Sequence, residues 1–221
     1  MPAPRFRVRA VLFDLDGTFA DTAPDLTYAL NLMRAARSLP PVPIEHTRPV
    51  TSTGARGMLR VGFGLTPEHP DYAGMKDEFL SLYEANVCRD SSVFPGTDTL
   101  VRKLALRNIV WGIVTNKATR YARPLVTQLT HDLGCACVIG GDSTPHLKPH
   151  PAPLFAGAEA VGVPAAECAY VGDDERDVAA GRAAGMRTVA VRYGYLNGGD
   201  PDAWGANAVI DHPEALLDHL A

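Results

Sequence analysis

Short apolar runs separated by stretches of helical periodicity dominate this chain. The runs fall at residues 8–13, 109–115, 136–139, 169–171, 188–191 and 208–210. Strand-length apolar runs alternating with helical segments predict an α/β fold, a parallel sheet covered by helices. Several runs end on small or polar residues: Asp14, Thr115, Gly140 and Gly172. Ligands of such sheets bind beyond the carboxyl ends of the strands. Chemistry is therefore expected just after each run, and carboxylates stand there.

Residues 24–88 break the alternation. Leu26, Leu30 and Met33 keep helical spacing, with Thr22 or Asp25 as a start signal. Residues 55–61 and 72–87 also predict helices, and Pro40, Pro41 and Pro43 mark a loop after the first. The expected organisation is a core of residues 1–20 and 92–221 with a small α-helical cap, residues 21–91, inserted after the first strand. The expected hinges are residues 17–21 and 89–96.

Composition narrows the function. Hydrophobic residues make up 46%, enough for a sizeable core, and 21 basic against 25 acidic residues give a net charge of −4. No basic stripe points to nucleic acid, and no apolar run reaches membrane-spanning length. A small anionic ligand would be drawn by local charge. Residues 1–9 are basic, but the apolar run that follows ends at Asp14, too short for a signal peptide. The four cysteines, Cys88, Cys135, Cys137 and Cys168, form no CxxC pair. Together these features predict a soluble cytoplasmic protein with free thiols.

Four elements carry candidate chemistry. Asp14-Leu15-Asp16-Gly17-Thr18 follows an apolar run, so both carboxylates can face one space while Gly17 permits a sharp turn. A carboxylate can attack phosphorus to give an acyl phosphate, and a second can protonate the leaving oxygen and then activate water. Thr115-Asn116 offers a hydroxyl and backbone N–H groups to phosphate oxygens. Lys148, in Lys148-Pro149-His150-Pro151, can neutralise a phosphoryl group. The acidic run from Asp173 to Asp177 calls for a cation if buried, and magnesium suits a few carboxylate oxygens plus phosphate.

In this order the motifs resemble those of the haloacid dehalogenase-like hydrolase superfamily, over the whole chain. The resemblance implies a Rossmann-like core with a helical cap. It implies Asp14 as nucleophile, Asp16 as general acid/base, and Thr115 and Lys148 on the phosphoryl group. Mg2+ would be held by Asp14, the Asp16 carbonyl and Asp173, with Asp177 in support. Asp174 and Phe19 stand where Ser or Thr and Leu are more usual. The stretch Asp21-Thr22-Ala23-Pro24-Asp25-Leu26 is similar to bacterial phosphoglycolate phosphatases. The tail, with Arg192-Tyr193-Gly194-Tyr195 and Trp204-Gly205-Ala206, is similar to the branch acting on N-acetylmuramic acid 6-phosphate. The expected activity is phosphomonoester hydrolysis on a small phosphorylated metabolite, phosphoglycolate first. A sugar phosphomutase, a dehalogenase and a silent binding module are weaker alternatives.

Selectivity is expected from residues 51–57, where Arg56 can pair with a substrate carboxylate. The competing reading gives Thr51 to Thr53 to capping the next helix. Tyr193 and Tyr195 read as structural.

Overall fold

The computed structural model describes residues 5–221. Six strands form one sheet in the order β5-β4-β1-β6-β7-β8, and every pairing is parallel. The strands are β1 (Ala10–Phe13), β4 (Val110–Val114), β5 (Val138–Ile139), β6 (Cys168–Gly172), β7 (Arg187–Val191) and β8 (Ala208–Ile210). All six expected runs are present. The first three are shorter than the apolar pattern suggested, and β5 keeps only two residues at the sheet edge.

Alternation explains the layers, because successive strand residues point to opposite faces. Val11 and Phe13 pack with α5 (Thr97–Leu106) and α6 (Thr119–Leu129) through Leu100, Leu104, Ala122 and Leu125. Ala10 and Leu12 pack on the other face with Leu154 and Ala158 of α7 (Ala152–Ala160) and Ala180 of α8 (Glu175–Ala183). Burial on both faces is why the strands read as continuous apolar runs.

Strand order makes the site. The chain leaves β1 for β4 on one side and reaches β6 on the other, so β1 lies at a switch in the order. Phe13 sits opposite both Ile113 and Val171. Asp14, Thr115 and Asp173 therefore emerge at one edge.

Four helices fill the sequence between β1 and α5: α1 (Ala23–Ala36), α2 (Ile44–Thr47), α3 (Ala55–Phe63) and α4 (Tyr72–Glu84). Helices α1, α3 and α4 share their own apolar cluster, with Leu26, Leu30, Met33, Met58, Leu59, Phe79 and Tyr83 buried, and Tyr121 of α6 joining it. Where the chain enters and leaves this segment, β2 (Ala20–Asp21) and β3 (Ser92–Val93) pair antiparallel. Sequence reading found no strand there, since two residues carry no periodicity. Residues 48–53 are a 3-10 turn rather than a loop. Their hydroxyls do not cap α3, whose N-cap is Gly54 with no side-chain cap bond. Instead Thr51 Oγ1 donates to Thr47 O and Thr53 Oγ1 to Val50 O. Among the described residues no helix is long and apolar enough to cross a membrane, and all four cysteines are free.

Candidate active site

Asp14 directly follows β1 and is buried, its backbone N–H bonded to Val171 O at 2.9 Å. Lys148 reaches it from the loop before α7. The Lys148 ammonium donates to Asp14 Oδ1 at 2.8 Å, Asp177 Oδ1 at 2.7 Å, the Tyr170 hydroxyl at 2.7 Å and Val114 O at 3.2 Å. Three protons are thus shared among four acceptors. Burial alone would pull this lysine down, but Asp14 and Asp177 more than reverse it and hold it cationic. Asn116 fixes the backbone from which Lys148 projects. Its amide donates to Lys148 O at 3.0 Å and accepts from Lys148 N at 2.9 Å. Thr115, also buried, accepts at Oγ1 from Lys117 N at 3.2 Å.

Asp173 lies just past β6, fully buried. Thr18 Oγ1 donates to its Oδ1 at 2.9 Å and Tyr195 N to its Oδ2 at 2.8 Å. Gly17, at φ 89°, folds directly over it, and a Cβ there would run into the Asp173 carboxylate. Asp173 and Asp177, four positions apart, would share a helix face only if the helix began at Asp173, and it does not. Helix α8 starts only at Glu175, with Asp174 as N-cap. The two carboxylates meet across the turn. Asp177 Oδ2 accepts from Asp174 N at 3.1 Å, and Arg176 N bonds Asp174 Oδ1 at 3.0 Å, a reciprocal capping box.

One carboxylate oxygen each from Asp14, Asp173 and Asp177 lies within 4.8 Å of the others. Burial first, then Asp14 and Asp177, pushes Asp173 well above the usual carboxylate range. Lys148 serves Asp14 and Asp177 but makes no bond to Asp173. This donor set of buried hard oxygens fits a small divalent cation.

Residues 11–191, which contain all four motifs, match the family model of the haloacid dehalogenase-like hydrolases. The chain belongs to that family. It is 44% identical over 217 residues to a phosphoglycolate phosphatase of Xanthomonas campestris pv. campestris, covering 96% of both chains. It is 39% identical over 217 residues to an N-acetylmuramic acid 6-phosphate phosphatase of Pseudomonas aeruginosa, covering 98% of this chain and 96% of that one. A crystal structure of a predicted phosphoglycolate phosphatase from Haemophilus somnus superposes with a TM-score of 0.82 at 25% identity, covering 96% of this chain and 97% of the other. This haloacid dehalogenase-like hydrolase is a phosphatase.

Asp16 faces the helical segment. Its carboxylate accepts from the Thr22 hydroxyl and, at 2.9 and 3.2 Å, from the ammonium of Lys117. Lys117 was not singled out in the sequence, although it directly follows Thr115 and Asn116. Its side chain is 8% exposed. It lies 4.6 Å from the centre of the Tyr83 ring of α4. Burial lowers its affinity for a proton, yet Asp16 and Tyr83 raise the balance above that of an ordinary lysine.

Above these groups lies a cavity of about 500 Å³, lined by Asp14, Asp16, Thr115 and Lys148 below and by the helical segment above. Arg56 and Lys76 project from that segment into its lining, beside Leu26, Phe79 and Tyr83. Arg56 is exposed. Tyr170 and Tyr195, both buried against the carboxylates, are further site residues that the sequence left unmarked or read as structural, as are Thr18, Thr22 and Lys76. Tyr170 in its apolar run, and Tyr195 in the turn after β7, carry no local signal that the hydroxyl is used.

Proposed function

We propose that this phosphatase is a magnesium-dependent phosphomonoester hydrolase working through a phosphorylated Asp14. The observation that carries the reading is the placement of Asp14 at the carboxyl end of the central strand, bonded to Lys148 and clustered with Asp173 beneath the cavity. Asp14 attacks phosphorus, and the bond to the ester oxygen breaks. Asp16 gives that oxygen its proton, then takes one from the water that hydrolyses the acyl phosphate. Thr115 and Lys148 bind the phosphoryl oxygens, with the Asn116 backbone beside them and its side chain steadying Lys148. Asp14, the Asp16 carbonyl and Asp173 would hold Mg2+, and Asp177 would support the site by gripping Lys148. When bound, the ion would supply charge neutralisation between the carboxylates and the phosphate.

Residues 21–91 act as a cap that covers the cavity and excludes water. Arg56 reaches from it to a carboxylate on the substrate. A phosphorylated small hydroxy acid of the phosphoglycolate type is the first reading, supported by the 44% identical relative. N-acetylmuramic acid 6-phosphate is the second. A cavity of about 500 Å³ with Leu26, Phe79, Leu80 and Tyr121 in its wall exceeds what a two-carbon acid fills. The free thiols are in keeping with work in the cytoplasm.

Phosphate release from phosphoglycolate, N-acetylmuramic acid 6-phosphate and p-nitrophenyl phosphate tests the reading, with and without chelator. Release from a carboxylate-bearing ester, lost on chelation and restored by Mg2+, is the expected result. Full activity after exhaustive chelation overturns the metal role. Preference for the aryl ester over both acids overturns the substrate class.

A further inference from the structure

The turn after β7 joins Asp173 to the start of α1. Tyr195 N donates to Asp173 Oδ2 at 2.8 Å. The ring of the same residue carries its hydroxyl to the junction where the chain enters the helical segment. There it accepts from Thr22 N at 2.7 Å and Ala23 N at 2.9 Å, and donates to Asp21 Oδ1 at 2.8 Å. Thr22 is the N-cap of α1 but makes no side-chain cap bond. Its hydroxyl goes to Asp16 instead. Tyr195 therefore satisfies the Thr22 N–H, which no local side chain caps, and shares the Ala23 N–H with Asp21 Oδ1, which accepts from it at a longer 3.3 Å.

The surroundings leave little slack. A Cβ on Gly194 would run into Asp173 and the Gly17 carbonyl, and one on Gly17 into Asp173 and the Tyr195 ring. Tyr193 donates to Thr18 O at 3.1 Å, while Thr18 itself donates to Asp173. On the outer side Asp21 Oδ2 pairs with Arg48 at 2.9 Å, and Arg48 stands 5.9 Å from the Tyr195 ring centre. Arg48 opens the 48–53 turn of the helical segment.

We propose that Tyr195 is a positioning residue that ties the Asp173 carboxylate to the Asp21–Ala23 junction, so that the ion site and the helical segment take up their places together. The inference rests on the metal-dependent reading given above. Displacement of Asp173 moves Tyr195 N, and the packed ring carries that displacement to the hydroxyl. The coupling is reciprocal, as linkage requires. An ion that draws Asp173 into place steadies the start of α1, and a shift of that junction acts back on Asp173.

Tyr195→Phe keeps the ring and the backbone N–H but deletes the hydroxyl. Hydrogen exchange at the Thr22 and Ala23 amides is followed in metal-free and Mg2+-loaded protein, with Mg2+ binding measured separately by calorimetry. In the wild type, Mg2+ slows exchange at both amides by about fivefold or more, the lower end of ordinary coupling. In the variant Mg2+ still binds, and the slowing disappears. Equal Mg2+-dependent slowing in wild type and variant overturns the proposal, as does its absence in a wild type that binds Mg2+. A wild type that fails to bind Mg2+ overturns the metal reading, and this inference with it. Should Tyr195→Phe not fold, Asp21→Asn carries the test at the Thr22 amide, because it weakens the acceptor of the tyrosine proton; the Ala23 amide is not used there, since Asp21 Oδ1 accepts from it directly. Partial loss of the slowing supports the coupling there, and full retention overturns it.

Discussion

Two buried lysines divide the site into unlike halves. Lys148 is enclosed by the core: its four partners come from β4, β6, α8 and the residue that follows β1. Lys117 has one carboxylate, Asp16, and one aromatic face, Tyr83, which belongs to the helical segment. The contacts of Lys148 come from the core alone and do not involve residues 21–91, whereas Asp173 beside them is joined to that segment through Tyr195. The half around Lys117 is completed only while α4 lies over it. In the proposed mechanism phosphoryl binding thus falls to the core-enclosed lysine, and proton transfer to the carboxylate where core and helical segment meet.

Substitutions separate the halves. Asp14→Asn is expected to cut turnover by about 10⁴-fold or more, since an amide cannot serve as nucleophile. Phosphate release and thermal melting measured together show whether a folded, inactive protein results. Lys148→Met follows: it strands Asp14 and Asp177 in a buried site, with a stability loss of about 3–5 kcal/mol in denaturant titration. Lys117→Met strands only Asp16 at the edge of the cavity, and about 1–3 kcal/mol is expected. Equal losses for the two lysines would erase the distinction between the halves.

Asp173→Asn sharpens the core side through pH. Burial and its carboxylate neighbours raise Asp173 in the folded chain. A raised acid binds more protons folded than unfolded, so it costs stability at neutral pH and the cost fades as pH falls towards the ordinary carboxylate range. In metal-free protein the variant is expected to melt about 2–4 °C higher at neutral pH and to lose that advantage on acidification. It also loses the further stabilisation that Mg2+ brings. Arg56→Ala has the smallest expected effect. Catalytic efficiency on carboxylate-bearing esters falls about tenfold while p-nitrophenyl phosphate hydrolysis changes little. A uniform loss on all three esters would make Arg56 a support of the helices.

Much of the core half is legible in the sequence, because each group marks a local event. Asp14, Thr115 and Asp173 each stand where an apolar run stops, and the end of a strand needs no distant partner to be seen. The acidic run around Asp173 fixes the start of α8, although its capping box puts the helix two residues past Asp173. The half facing the helices was less legible. Lys117 and Asp16 lie far apart in sequence and meet because β4 lies beside β1. Tyr195 looks like any tyrosine after a strand until its hydroxyl is traced to Thr22 and Ala23.

By itself the sequence determined the strands, the order of the motifs and the chemical kind of each group on the sheet edge. These follow from hydrophobic periodicity and from residue type, both readable within a few positions. Only the tertiary structure decided the strand order, the β2–β3 pairing, the partner of each buried charge and the tie between Asp173 and α1. Those depend on which distant segments share the space beyond β1, where a buried charge or N–H group must find its partner wherever the fold supplies one.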